Sequence, residues 1–413
     1  MYGELCSVKE ITEGVRAVIN SKQEQLSDAE VLSLIEDYVL RDRRTDHCSF
    51  RKKGELISGI FNATRKDLDI LQPYADDKDV SEIMVNGIND IFIERKGKIE
   101  KLDIRFETKE DLEEIIRRIA AKVHREINEL NPIVDARLED GSRINAVYKN
   151  VALNGPILTI RRFPESRITM EDLIRMETIT DEAAAFLKKL VRSGYNIFIS
   201  GGTSSGKTTF LNVLSEFIPK DERVIVIEDA AELQITGIEN IVRLECRNAN
   251  VQGKGEVNMR QLIKSSLRMR PNRIIVGEVR GGEVLDMIQA MNTGHDGSLS
   301  TGHGNSPEGM LSRLEAMFLQ AADFPIDAIR KQIAEAIDII VHLGRLPDRS
   351  RKVIEITEIV GYYDGQIQIN PIFKYKMNKP DESKDGHSDW SLIQTGNKLK
   401  NIMKLDMNGE YLE

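Results

Sequence analysis

Eight residues near the middle of the chain, Gly201-Gly202-Thr203-Ser204-Ser205-Gly206-Lys207-Thr208, fit the pattern G-x-x-x-x-G-K-[ST]. A short apolar run, Ile197 to Ser200, leads in, and a helical stretch from Thr209 to Phe217 leads out. Strand, glycine loop and helix in that order imply a parallel βα unit, because the helix must carry the chain back across the face of the sheet. Glycines let the backbone come close to a phosphate, and the N–H groups of the loop and helix start point at it. The loop and Thr209 therefore read as a cradle for a nucleotide, ATP. Lys207 would neutralise β- and γ-phosphate oxygens, and the Thr208 hydroxyl would hold Mg²⁺.

Beyond Thr180 the chain alternates helices with β-branched runs at Ile197 to Ile199, Val224 to Ile227 and Ile274 to Val276. That pattern predicts an α/β domain whose parallel sheet is covered on both faces. Two of the runs end in carboxylates, Glu228-Asp229 and, after Gly277, Glu278. Ligands of open parallel sheets sit beyond the carboxyl ends of the strands, so both should face the γ-phosphate region. One carboxylate can organise Mg²⁺ while the other orients and deprotonates water. A plainer alternative is that Glu228 or Asp229 only caps the segment that follows. Glu232 reads equally well as part of a solvated face. His295 and His303 lie eight residues apart, with no acidic or cysteine partners at metal-ligand spacing.

At about 150 residues per domain, 413 residues suggest two to three domains. Residues 1–68 read as helical. Ile11, Val15, Val18 and Ile19 form one stripe, and the capping box Ser27-Asp28-Ala29-Glu30 opens a second through Val31, Leu34, Ile35 and Tyr38. Residues 69–164 read as an α+β module. Its strands are expected at 83–87, 90–94, 99–106, 145–148 and 157–160, with a helix opened by Thr108. A polar connection at 165–180 precedes the domain at 181–376, and 377–413 reads as a polar tail with a linker at 378–386.

A net charge of −9 weighs against a general nucleic-acid binder. Nowhere does the chain approach the roughly 18 apolar residues of a membrane span, and its start lacks a signal-peptide pattern, which leads us to expect a cytoplasmic protein. Cys6, Cys48 and Cys246 are scattered and odd in number, so no disulfide framework is expected.

Four motifs in order resemble the type II/type IV secretion-system ATPases, in particular the CpaF-like branch of tight-adherence pilus motors. They are the glycine loop, the acidic box Ile227 to Leu233, the Walker B-like Arg273 to Arg280, and the histidine box Gly294 to Pro307. Val80 to Gly87 and Asp135 to Asn145 match the preceding module as well, so the resemblance covers roughly residues 68 to 375. It implies a RecA-like P-loop ATPase domain preceded by an α+β domain, in a homohexameric ring that holds nucleotide between domains. It also implies peripheral membrane association through an inner-membrane platform protein, with no direct nucleic-acid contact. By the same resemblance Glu228 is the general base, Glu278 the Walker B acid that binds Mg²⁺, and His303 a γ-phosphate sensor. Arg137, Arg143, Arg161 and Arg162 would reach the phosphates from the preceding domain. The basic stretch Leu267 to Arg273 would serve inter-subunit or nucleotide-sensing contacts. The chain departs from the family's usual alanine after the second box histidine, where it has Gly304.

Overall fold

The computed structural model describes residues 8–21, 26–66, 68–123, 125–138, 141–162, 167–247, 249, 254–377 and 390–411. The chain divides into two compact units, residues 1–166 and 167–413.

In the first unit, helices Val8–Ser21, Asp28–Arg41 and Phe50–Arg65 enclose a small core of Ile11, Val15, Val31, Ile35, Val39 and Ile60. The Ser27/Glu30 capping box forms as the sequence predicts, satisfying otherwise orphaned N–H groups at the helix start. An antiparallel sheet follows, made of β1 (Val80–Asn86), β2 (Ile91–Arg95), β3 (Lys98–Lys101), β4 (Ile133–Arg137), β5 (Arg143–Val147) and β6 (Ile157–Arg161). Its spatial order is β3-β2-β1-β6-β5-β4. Helix Lys109–Lys122, capped by Thr108, buries Leu112, Ile115, Ile116 and Ile119 with Ile83, Val85, Ile144 and Leu158. The strand expected at 99–106 stops at Lys101, and β4 carries too little apolar alternation to stand out in sequence.

The second unit is built on a nine-stranded sheet of order β15-β14-β13-β12-β7-β11-β10-β8-β9. Its strands are β7 (Ile197–Gly201), β8 (Val224–Glu228), β9 (Ile241–Glu245), β10 (Arg273–Val276), β11 (Leu299–His303), β12 (Ile339–Arg345), β13 (Arg351–Tyr363), β14 (Gln366–Met377) and β15 (Trp390–Gln394). From β12 to β9 every pairing is parallel. Alternate residues of β7 and β8 serve opposite layers. Ile197, Ile199, Val224 and Val226 join one core, while Phe198, Ile225 and Ile227 join the other. Two-sided burial explains why these strands read as unbroken apolar runs.

Two expected boundaries move. Met170, Leu173 and Ile179 are buried in the same core as Ile197, so from Arg167 onward the expected connection belongs to the second unit. Residues 163–166 and the 378–386 linker lie outside the described residues. The stretch expected as a tail supplies β15, paired to β14, and the short helix Met403–Met407. Lys404 Nζ there reaches Asp338 Oδ2 and Asp296 Oδ1, both at 2.7 Å, and the Gly194 carbonyl at 3.2 Å. Burial pushes the Asp338 carboxyl up, and the Lys404 ammonium opposes that shift. Removing one partner of a buried pair strands the other charge. Lys404→Ala is therefore expected to cost about 2–3 kcal/mol, seen as a drop of several degrees in thermal unfolding. A melting temperature within a degree of wild type would count against this clamp.

Candidate active site

Sheet order and register bring distant motifs together. In the β7/β11 pair His303 lies opposite Gly201, and in the β10/β8 pair Val276 lies opposite Ile227. The carboxyl ends of β7, β11, β10 and β8 therefore abut, carrying Gly201, His303, Glu278 and Glu228 along one edge of the sheet.

Lys207 opens the helix Lys207–Ser215 and is 7% exposed. Its ammonium donates to the carbonyls of Gly202 at 2.9 Å and Gly201 at 3.2 Å, and lies 3.3 Å from His303 Nδ1. Burial holds its pKa below the ordinary lysine value, with Glu278 opposing. On the other side of the imidazole, Nε2 sits 2.8 Å from Glu278 Oε1. An ammonium can only donate, so His303 accepts at Nδ1, which leaves the proton of a neutral ring on Nε2, the nitrogen in close contact with the Glu278 carboxylate. Burial and the Lys207 charge keep its pKa below the ordinary histidine value, which suits a neutral ring. Glu278 Oε2 accepts from Arg280 at 2.7 Å through Nη2 and 3.0 Å through Nε, and Arg280 Nη1 lies 3.5 Å from Asp229. Sequence reasoning gave Arg280 no role of its own, although a cation two residues beyond a strand-end carboxylate is a legible signal.

The rest of the loop lies close by. Gly202, Thr203 and Ser204 are exposed, and Gly206, Thr208 and Thr209 are half-buried. Ser205 Oγ is buried with no hydrogen-bond partner among the described residues. An orphaned hydroxyl inside a glycine-rich loop suits a phosphate ligand. Thr208 and Glu278 together offer hard oxygen donors of the kind Mg²⁺ takes.

Glu228 is 4% exposed, and its Oε1 accepts the N–H groups of Glu232 and Leu233, both at 2.8 Å. The capping role weighed from sequence is thus present. Burial pushes its carboxyl pKa up against those two hydrogen bonds. Glu232 contributes its amide to this cap. Gly304 has a packing reason, since a Cβ there would stand 3.1 Å from both Met310 Cβ and Sδ.

Other candidates separate. His295, just before β11, contacts the Ala290 carbonyl at 3.1 Å and lies at the far end of that strand from His303. In the basic stretch 267–273, Arg273 is 2% exposed, pairs with Glu222 and donates to the Val191 carbonyl. It is a structural residue at the start of β10, not a contact residue, which corrects the expectation for that position.

In the first unit, Arg137 faces Arg143, Arg143 faces Arg161 and Arg161 faces Glu82 across paired strands. Directly opposed residues share a face, so three guanidinium groups stand in one row. The next row along the strands, Ala136, Ile144, Ile160 and Ile83, points to the apolar core. Arg162 does not join the arginine row. Strand alternation turns it away, and its guanidinium donates to the carbonyls of Asp77 and Val80. Glu139 and Asp140, the local carboxylates that could pair with the arginines, lie outside the described residues.

A glycine loop ending in a lysine that opens a helix, with carboxylates on neighbouring strand ends, defines a P-loop ATPase. Residues 64–385 match the family described as type II/IV secretion system protein, and the chain belongs to that family. Conjugal transfer protein TrbB of Rhizobium radiobacter is 35% identical over 297 residues, covering 71% of this chain and 88% of that one. The type IV secretion system protein VirB11 of Brucella suis is 31% identical over 303 residues, covering 67% and 84%. The crystal structure of the pilus retraction motor PilT with bound ADP shares the fold at a TM-score of 0.52. It is 18% identical and covers 82% of this chain and 86% of that chain.

Proposed function

We propose that this ATPase is one subunit of a homohexameric motor that powers pilus assembly or protein export through an inner-membrane platform protein, in the CpaF-like branch. The observation that carries the reading is the chain of contacts from Lys207 through His303 to Glu278 at the mouth of the glycine loop. Thr208 and Glu278 would hold Mg²⁺, which would supply positive charge to the nucleotide phosphates. Lys207 exchanges the Gly201 and Gly202 carbonyls for phosphate oxygens. His303, losing that ammonium, then reports an occupied site to Glu278 and to the loop after β11. Glu228 takes the proton of the attacking water. Its two amide bonds fall on Oε1 alone, and a raised pKa makes it the better base near neutral pH.

Arg137, Arg143 and Arg161 form a cationic row that continues into two carboxylates, Glu82 and Glu94, at its far end, and the arginine end of such a row favours an anion. We assign it to the nucleotide phosphates and leave Arg162 to the fold. Among the described residues no helix is long and apolar enough to cross a membrane, so membrane attachment is assigned to the partner protein on the cytoplasmic face. Light scattering with a non-hydrolysable ATP analogue is expected to give a six-subunit particle. A strict monomer at micromolar concentration with nucleotide would sink the ring.

A second reading, a DNA-translocating motor, is favoured by the name of the TrbB relative. Steady-state ATPase rates with and without single-stranded DNA separate the two. The export motor should be indifferent to DNA, whereas a DNA motor should be stimulated.

A further inference from the structure

The hairpin formed by β12 and β13 lies outside all four sequence motifs, yet it meets the glycine loop at successive points. His342 Nδ1 is 2.8 Å from the hydroxyl of Ser200, the residue just before the loop. Leu343 lies opposite Gly201 in the parallel register, and its carbonyl oxygen is 2.5 Å from where a Cβ on Gly201 would stand. Only glycine lets β7 and β12 run this close. On the return strand, Arg351 Nε donates to the Ser204 carbonyl at 3.1 Å, and Arg351 Cδ lies 3.4 Å from the Cβ position of Gly206. Ser204 is a non-glycine residue at φ 59°, a conformation that persists only when its surroundings hold it. Among the described residues, the Arg351 bond is the tertiary hydrogen bond on that peptide.

We propose that Arg351 is a positioning residue for nucleotide binding. It holds the Ser204 peptide in its left-handed turn, so that the loop N–H groups already point into the cradle when phosphate arrives. Arginine suits the task because a directed Nε–H sits partway along the side chain, while the stem packs over Gly206. Loop amides meet the phosphates that ADP and ATP share, so the contribution falls on ground-state binding and transition state alike. This inference rests on reading residues 201–208 as the nucleotide cradle.

The test is Arg351→Ala and Arg351→Lys in the full chain, with fluorescent ADP titration beside steady-state ATP hydrolysis. For Arg351→Ala the ADP Kd and the KM for ATP are expected to rise together by about tenfold, the scale of one charge-assisted hydrogen bond, with kcat within about threefold of wild type. Arg351→Lys should fall between Ala and wild type, because its ammonium can still reach the carbonyl without the same direction. Unchanged ADP affinity in Arg351→Ala overturns the proposal, as does a collapse of kcat at unchanged affinity. A lysine variant as weak as alanine counts against the bond to the Ser204 carbonyl. Failure of the wild type to bind ADP would instead remove the cradle reading itself.

Discussion

Lys207→Ala is expected to lower kcat/KM for ATP by roughly 10²–10³-fold, the scale seen when one preorganised charge-stabilising donor is removed from an active site. The fold should survive. Lys207 is buried, but its ammonium serves two loop carbonyls and an imidazole, not the apolar layers that hold the sheet. A second readout comes from the neighbouring ring. The Lys207 charge is one of the two largest causes depressing the His303 pKa, after burial. Depression means that the neutral ring is favoured in the folded protein, and protonation is postponed to lower pH. Without the ammonium, His303 should bind its proton at higher pH than in wild type, nearer the ordinary histidine range. Its imidazole resonances followed against pH would show this. Near wild-type turnover, or loss of the folded circular dichroism signal at ordinary temperature, would contradict a purely functional lysine.

Glu228 and Glu278 should fail differently when each is changed to glutamine. A glutamine at 228 still offers an Oε1 to the Glu232 and Leu233 amides, so the loop after β8 keeps its cap. What it lacks is basicity. ATP should bind as before while turnover falls by about 10²-fold or more, the usual size of a general-base contribution. At 278 the change leaves Arg280 and His303 facing a neutral amide where both now meet a carboxylate. Hydrolysis should fall there too, but with a weaker Mg²⁺ dependence of nucleotide binding, since negative charge is what holds the hydrated ion. Nucleotide affinity measured against Mg²⁺ for both variants, beside their rates, separates the roles. Near wild-type turnover in Glu228→Gln, with a dead Glu278→Gln whose binding is unchanged, would reverse the assignment.

Much of this site is legible in the order of the amino acids. The glycine loop carries its own context, because the flanking strand and helix are marked by local apolar pattern and the loop by its glycines. Glu228 and Glu278 announce themselves by following apolar runs that can only be buried strands. The helix caps at Ser27 and Thr108 form where the spacing places them. Less legible is β4, which offers only Val134 and the small Ala136 at its inward positions while the apolar Ile133 faces outward. The extent of the second unit is hidden for a related reason. Residues 390–411 look polar because their buried leucines, Leu392, Leu399 and Leu405, are spaced too far apart to form an apolar stripe, and polar anchors such as Lys404 on Asp338 and Tyr195 on the Asn401 carbonyl do the rest.

By itself the sequence determined the class of fold, the phosphate loop, the carboxylates that end β8 and follow β10, and the family, because all of these rest on residues close together along the chain. Tertiary structure alone decided which of them touch. Lys207, Glu278 and His303 meet because β7, β11 and β10 lie side by side, an order that no local pattern encodes. Strand alternation separated Arg162 from Arg161, although the two are neighbours in sequence. Register likewise gave Arg137, Arg143 and Arg161 a common face, and a hairpin return brought Arg351 onto the Ser204 carbonyl. The physical reason is the same in each case. Propensity and periodicity act over a few residues, whereas strand order and register are settled by burying both faces of a whole sheet at once.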